Sequence, residues 1–272
     1  MAIKNWLITG DTHGQNCDRL RNIKENMPEY KPEETAVIIL GDVGFNYYLN
    51  KTDQKHKREA SAYGYTIYCV RGNHEARPGE HLGMHLIKDE DVGGSVWIED
   101  EFPLIRYFCE WGHYNIDGRK TLVIGGAYSV DKWYRLQNGW QWFEDEQLKP
   151  FEMDACYRNA IDYQFDMILS HTCPLSFQPV DMFLNCIDQS KVDNTMEIWL
   201  DKVRSKVRHR LWLWGHYHGD RIEAPYYEMF YTEIEDLKDI EARWQKFDET
   251  GELDWWLPLS PSFQKVMDKN KT

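Results

Sequence analysis

The chain lacks the features that would carry it into a membrane or out of the cell. No run approaches the roughly 20 consecutive apolar residues of a membrane span, although 42% of its 272 residues are hydrophobic. The N-terminus, MAIKNWLITGD, enters a strand pattern at once, with no signal-peptide core or cleavage site. These absences predict a cytoplasmic protein made in its mature form, with no membrane partner. The six cysteines (Cys17, Cys69, Cys109, Cys156, Cys173, Cys186) form no CxxC pair, so they read as free thiols in a reducing compartment and not as a disulfide framework or zinc ribbon. Positive charge is scarce too. Thirty-two Lys and Arg against 45 Asp and Glu leave a formal charge of −13, and broad binding to nucleic-acid backbone needs a basic surface. No linker rich in Gly, Pro or Ser divides the sequence, and no internal repeat is visible. One domain over 1–272 is expected, with a core at 3–232 and a peripheral extension from about 233 that is acidic and then aromatic (DWWLPLSPSF).

What the chain does have is a series of short, β-rich apolar runs that end in glycine or polar residues. They are IKNWLITGD (3–11), TAVIILGD (35–42), TIYCVRGNHE (66–75), TLVIGGAYS (121–129), FDMILSH (165–171) and RLWLWGH (210–216). Charged amphipathic stretches at about 16–31, 52–63 and 144–163 predict helices between them. Alternation of strand and helix argues for an α/β fold with largely buried strands. WIED, LIRYF and HYNI (97–116) follow one another without helical spacers and predict an antiparallel hairpin section.

Polar residues gather at the ends of these runs, where open α/β sheets bind ligands. The first delivers Asp11 and His13, the second Asp42, the third Asn73 and His74, a later one His171, and the last His216 and His218 in GHYHG. Each alone has a plain structural reading: Asp11 a helix cap, Asp42 a strand-to-helix turn, His171 a satisfied core histidine. Together they are carboxylates, imidazoles and one amide oxygen with no thiolate. That donor set suits Mn, Fe, Zn, Ni or Co better than copper(I) or iron–sulfur.

The order D-x-H, GD, GNH[ED], H, GHxH across residues 10–219 resembles the calcineurin-like metallophosphoesterase family. The resemblance implies a four-layer αββα sandwich in which two mixed sheets pack face to face between helices, with a dinuclear centre at the strand ends. It implies one metal held by Asp11, His13 and His218, another by Asn73, His171 and His216, and Asp42 bridging them. His74 would sit over the substrate as the catalytic acid. Two ions about 3.5–4 Å apart can share a hydroxide and clamp phosphate oxygens, and with neutral histidine and asparagine ligands the site stays net positive despite the acidic chain. The implied reaction is hydrolysis of a phosphate ester by metal-bound hydroxide, with Mn as the natural ion to assay. The substrate would be a phosphorylated small molecule, a nucleotide or a phosphoprotein.

Arg71, in RGNHE, could add bidentate hydrogen bonds to phosphate beside Asn73 and His74, or serve as a structural ion-pair partner. The RGNHE stretch is like that of serine/threonine protein phosphatases and dinucleotide polyphosphate hydrolases, but GDVGFNYYLN (41–50) lacks their DRG arginine. Asn46 is a weaker candidate for a substrate contact. His56, His81, His85, His113 and His209 read as surface or structural histidines. The aromatic run WYRLQNGWQWF (133–143) either covers core or stacks a base, and 174–190, directly after His171, has the look of a lid loop. Two rival readings are a metal-dependent nuclease or phosphodiesterase, which would need a basic track, and a non-catalytic scaffold, which would be expected to have lost some of these residues.

Overall fold

The apolar runs become strands because they are buried on both faces. TAVII, TIYC, MILS and LWLW carry no exposed position, and β-branched or aromatic residues pack well on such two-sided pleats. The computed structural model describes residues 3–253 and 258–269, so the DWWL stretch of the aromatic tail (254–257) lies outside them. Strands β1 (Asn5–Thr9), β2 (Thr35–Ile39), β3 (Thr66–Cys69), β4 (His85–Asp89), β5 (Gly94–Ile98) and β6 (Ile105–Phe108) belong to a first sheet. A second sheet holds β7 (Trp111–Ile116), β8 (Arg119–Ile124), β9 (Met167–Ser170), β10 (Leu211–Trp214), β11 (Arg221–Ala224) and β12 (Tyr227–Met229). The short β13 (Ile234–Asp236) returns to the first sheet, antiparallel to β1. Helices α1 (Asn16–Asn26), α2 (Lys51–Ser61), α3 (Pro78–His81), α4 (Lys132–Gln137), α5 (Pro150–Ala160), α6 (Thr195–Lys206), α7 (Leu237–Thr250) and α8 (Pro261–Lys269) complete the described elements.

Alternation along the strands produces four layers. On β2, Ala36 and Ile38 face a central core that also holds Val123, Met167, Leu169 and Leu213 of the second sheet. Val37 and Ile39, on the opposite face, pack with Leu20, Ile23 and Ala60 of α1 and α2. On the far side, Ile168, Trp212 and Trp214 pack against Cys156, Leu200 and Val203 of α5 and α6. The fold is thus the expected helix–sheet–sheet–helix sandwich. Strands β1, β2, β3 and β6 run parallel in one sheet, and β8, β9, β10 and β12 in the other.

Three local expectations change. The 97–116 section is not one hairpin: β5 and β6 pair antiparallel in the first sheet, while β7 crosses over to pair with β8 in the second. The helix expected over 144–163 begins only at Pro150, whose fixed φ suits a first helical position. The segment after 233 is not peripheral, because Leu237, Ile240, Trp244 and Phe263 are buried in the central core. Its acidic surface residues hid an apolar stripe on α7. No helix among the described residues is long and apolar enough to cross a membrane.

Candidate metal centre

Both sets of parallel strands end at the same edge, and the loops leaving them carry the polar blocks. The backbone there is strained. Outside glycine, positive φ is uncommon, yet His13 (44°), Asp42 (46°), His216 (70°) and His218 (53°) all adopt it. Each such residue costs on the order of 1–3 kcal/mol and tends to persist at functional sites. GHYHG therefore does not continue β10 as a strand. It is a turn in which His216 and His218 are each aimed by a left-handed backbone. Between them, Tyr217 has its hydroxyl 3.1 Å from Thr172 Oγ1, and its side chain lines the neighbouring cleft.

The turns bring together all seven residues expected as ligands. His13 Nε2 and His218 Nε2 are 2.8 Å apart, and they lie 3.8 and 3.4 Å from Asp11 Oδ2. His171 Nε2 lies 2.9 Å from Asn73 Oδ1 and 3.6 Å from Asp42 Oδ1, and the His171 and His216 rings are 5.0 Å apart. Asp42 also groups with His13 and His74, their ligand atoms within 4.8 Å of one another, so it stands between the two halves. Backbone amides orient both carboxylates: His216 N–H donates to Asp11 Oδ1 (2.9 Å) and His74 N–H to Asp42 Oδ1 (2.8 Å).

Hydrogen-bond direction tests whether these residues fit a cation. His171 Nδ1 donates to the Leu40 carbonyl at 2.8 Å, which fixes the tautomer that a metal ligand needs, with Nε2 as the acceptor. Ser129 Oγ donates to Glu146 Oε2 at 2.5 Å and so accepts from Asn73 Nδ2 at 2.8 Å. That fixes the Asn73 amide with Oδ1 towards His171. Two acceptors thus face each other at 2.9 Å, and Asp11 Oδ2 is buried without a well-formed hydrogen bond. A divalent cation satisfies both arrangements, and the oxygen and imidazole donors fit one.

The electrostatics agree. Burial alone would raise Asp42, but the His74, His171 and His13 imidazoles hold its carboxyl far below the usual range. Asp11 is likewise held low, against burial, by His171 and His218. Burial, then His171, push His216 down to about 3, so its imidazole is neutral and available as a ligand. Burial also lowers His74 against the pull of Asp42, with Arg135 adding to the depression. The His74 ring stands 5.2 Å from that of His13, and its Nε2 is 3.8 Å from Asp131 Oδ1.

Arg71 does not reach the centre. It is buried, ion-paired through Nε to Glu110, and bonded through Nη1 to the carbonyls of Gly72 (3.0 Å) and Glu146 (2.8 Å). Its partner lies 39 residues away, so of the two readings of Arg71 the structure shows the ion pair. Asn46 is buried as well, its carbonyl accepting Ala76 N–H. Three supporting residues escaped the sequence reading. Glu75 is buried and takes the amides of Gly44 (3.0 Å) and Gly72 (3.1 Å), tying the Asp42 and Asn73 loops together; the acidic end of GNHE was its signal. Ser129 and Glu146 anchor Asn73, and nothing in the sequence marked them. The aromatic run is divided: Trp133, Tyr134 and Trp140 are more than half exposed, while Arg135 between them and Phe143 at its end are buried. The 174–190 loop borders a cleft of about 480 Å³ that opens beside His74, Asn73 and His216.

The chain is similar to known proteins in sequence and in outline. The sequence profile described as calcineurin-like phosphoesterase matches residues 5–220. Among solved structures, TT1561 of Thermus thermophilus is 16% identical, covering 79% of this chain and 82% of its own, with a TM-score of 0.42. The phosphopantetheinyl hydrolase of Mycobacterium tuberculosis is 12% identical, covering 92% and 94%, with a TM-score of 0.40. No curated protein sequence matches the chain.

Proposed function

The chain belongs to the calcineurin-like phosphoesterase family of metal-dependent phosphoric ester hydrolases, and from that premise we propose that it uses two divalent ions to hydrolyse a phosphomonoester of a small molecule. One ion would take Asp11, His13 and His218, the other Asn73, His171 and His216, with Asp42 between them. The observation that carries this reading is the pair of acceptors, His171 Nε2 and Asn73 Oδ1, facing each other at 2.9 Å. When bound, the ions supply positive charge that polarises the phosphoryl group and lowers the pKa of the attacking water. The chain's own residues do the rest. Buried Asp11 and Asp42, oriented by backbone amides, keep the ligand sphere fixed. His74 lines the cleft with Nε2 3.8 Å from Asp131 Oδ1, placed to give a proton to the leaving oxygen. Tyr47 lies against the His74 ring, the two centroids 6.1 Å apart. Six free thiols support work in a reducing, cytoplasmic setting.

The test is an aryl phosphate assay on metal-stripped protein. Activity should be absent, return with Mn, and stay absent in Asp42→Ala together with metal binding. His74→Ala should keep its metal and lose roughly 10²–10⁴ in kcat. Full activity without metal, or in Asp42→Ala, would refute the reading.

A further inference from the structure

The cleft beside the centre has an unusual lining for an enzyme of anionic substrates. His74, Asn73, Asp42, His216 and His218 are among its lining residues, so whatever is esterified to a phosphate held at the centre enters it. The loop between β9 and α6 adds Met182, Leu184, Ile187 and Val192 to the lining. Leu184 is 63% exposed and Met182 37% exposed. Apolar side chains facing an open cleft of this size mark a surface meant to be covered. Among the described residues no Lys or Arg lines it, whereas Asp131, Asp193 and Glu197 do. A second phosphate there would meet carboxylates and find no cation to pair with.

Glu197 adds one polar feature. It is 3% exposed, and its Oε1 accepts from Thr172 Oγ1 at 2.8 Å. Its Oε2 is buried without a partner, on a side chain that lines the cleft. Leaving such an atom unsatisfied is costly, and a donor on a bound ligand would satisfy it.

We propose that this cleft is the subsite for the alcohol portion of the substrate, selecting phosphomonoesters of an uncharged, mainly apolar alcohol that carries a hydrogen-bond donor for Glu197, and rejecting polyphosphates. The proposal rests on the phosphoesterase reading for the position of the phosphate, but its test separates the two. Binding of n-alkylphosphonates to the metal-loaded protein is measured by calorimetry, alongside turnover of the matching alkyl phosphates. Each added methylene should tighten Kd about fourfold over the first few carbons. Leu184→Asp, at an exposed position where folding is safe, should flatten that dependence, and Leu184→Lys should improve binding of methylene diphosphonate. In the series bearing a terminal hydroxyl, one chain length should outbind its alkyl parent, and Glu197→Met should reverse that preference. Affinity independent of chain length, or tighter binding of diphosphonate than of butylphosphonate by the unaltered protein, would overturn the subsite even if aryl phosphates are hydrolysed. Chain-length dependence that Leu184→Asp abolishes, with no turnover of any ester, would uphold the subsite and sink the phosphoesterase reading instead.

Discussion

The direction of the hydrogen bonds behind Asn73 decides what that residue offers a metal, and reversing them should weaken one ion specifically. Glu146 accepts Ser129 N–H on Oε1 (3.0 Å) and both Ser129 O–H (2.5 Å) and Trp142 Nε1–H (2.8 Å) on Oε2. The Ser129 proton is thereby committed, and its oxygen is left to accept from Asn73. In Glu146→Gln only one of the two acceptor positions remains an oxygen. Keeping the bond to Ser129 N–H puts an NH2 where Oε2 was, and the Ser129 hydroxyl then turns its proton towards Asn73. The Asn73 amide must flip to receive it, presenting NH2 where the cation needs Oδ1. Loss of such an outer partner typically lowers metal affinity 10- to 100-fold, about 1.4–2.7 kcal/mol. Ser129→Ala removes the anchor without reversing it and should fall near the lower end. The assay is competition with a fluorescent chelator, resolving two stepwise affinities, with melting in chelator to register the fold itself. Only the ion at Asn73 and His171 should weaken. Equal loss at both steps, or both affinities within about twofold of the unaltered protein, would show that the Glu146–Ser129–Asn73 chain is structural and leaves the metal untouched.

Three further outcomes are expected. Gly215→Ala places a Cβ 2.3 Å from Asp11 Oδ1 and 2.9 Å from the Leu40 carbonyl; it should cost about 1–3 kcal/mol and weaken the Asp11-side ion, and an unchanged Tm with unchanged metal titration would contradict the close approach. Arg71→Ala breaks its buried pair with Glu110 and should cost roughly 3–5 kcal/mol in denaturant unfolding while leaving KM alone; a raised KM at full stability would return Arg71 to the substrate. Burial pushes Glu228 up to about 7 against the attraction of Arg243, so the folded protein holds a proton there that the unfolded chain releases at about 4.3. Stability from this group is fully present below that lower value and is lost as pH rises through about 7. In Glu228→Gln the slope of unfolding free energy against pH should therefore be flatter between these limits, by up to one proton or about 1.4 kcal/mol per pH unit; identical slopes for the two metal-free proteins would exclude the shift.

What was legible in the sequence is what strand periodicity and local chemistry control. The runs at 35–42, 66–75 and 210–216 announce buried strands through their composition, and the polar residue after each is placed by the strand's end. Interactions that close over long separations left no such trace. Ser129 meets Asn73 across 56 residues, and Arg71 meets Glu110 across 39, so Ser129 was missed and Arg71 was left open between a phosphate contact and an ion pair. The glycines show where the boundary lies. In GD, Gly41 has φ +105° and a conformational reason to be glycine, which a turn reading captures. Gly72 and Gly215 have no positive φ. A Cβ on Gly72 would stand 1.9 Å from Asp42 Oδ1, and one on Gly215 2.3 Å from Asp11 Oδ1. These two glycines are fixed by the carboxylates packed against them, whose sequence positions are remote. The sequence therefore states that a small residue stands beside each histidine block, while the fold supplies the reason: both central carboxylates rest on bare backbone, and that contact holds them at the distance the histidines require.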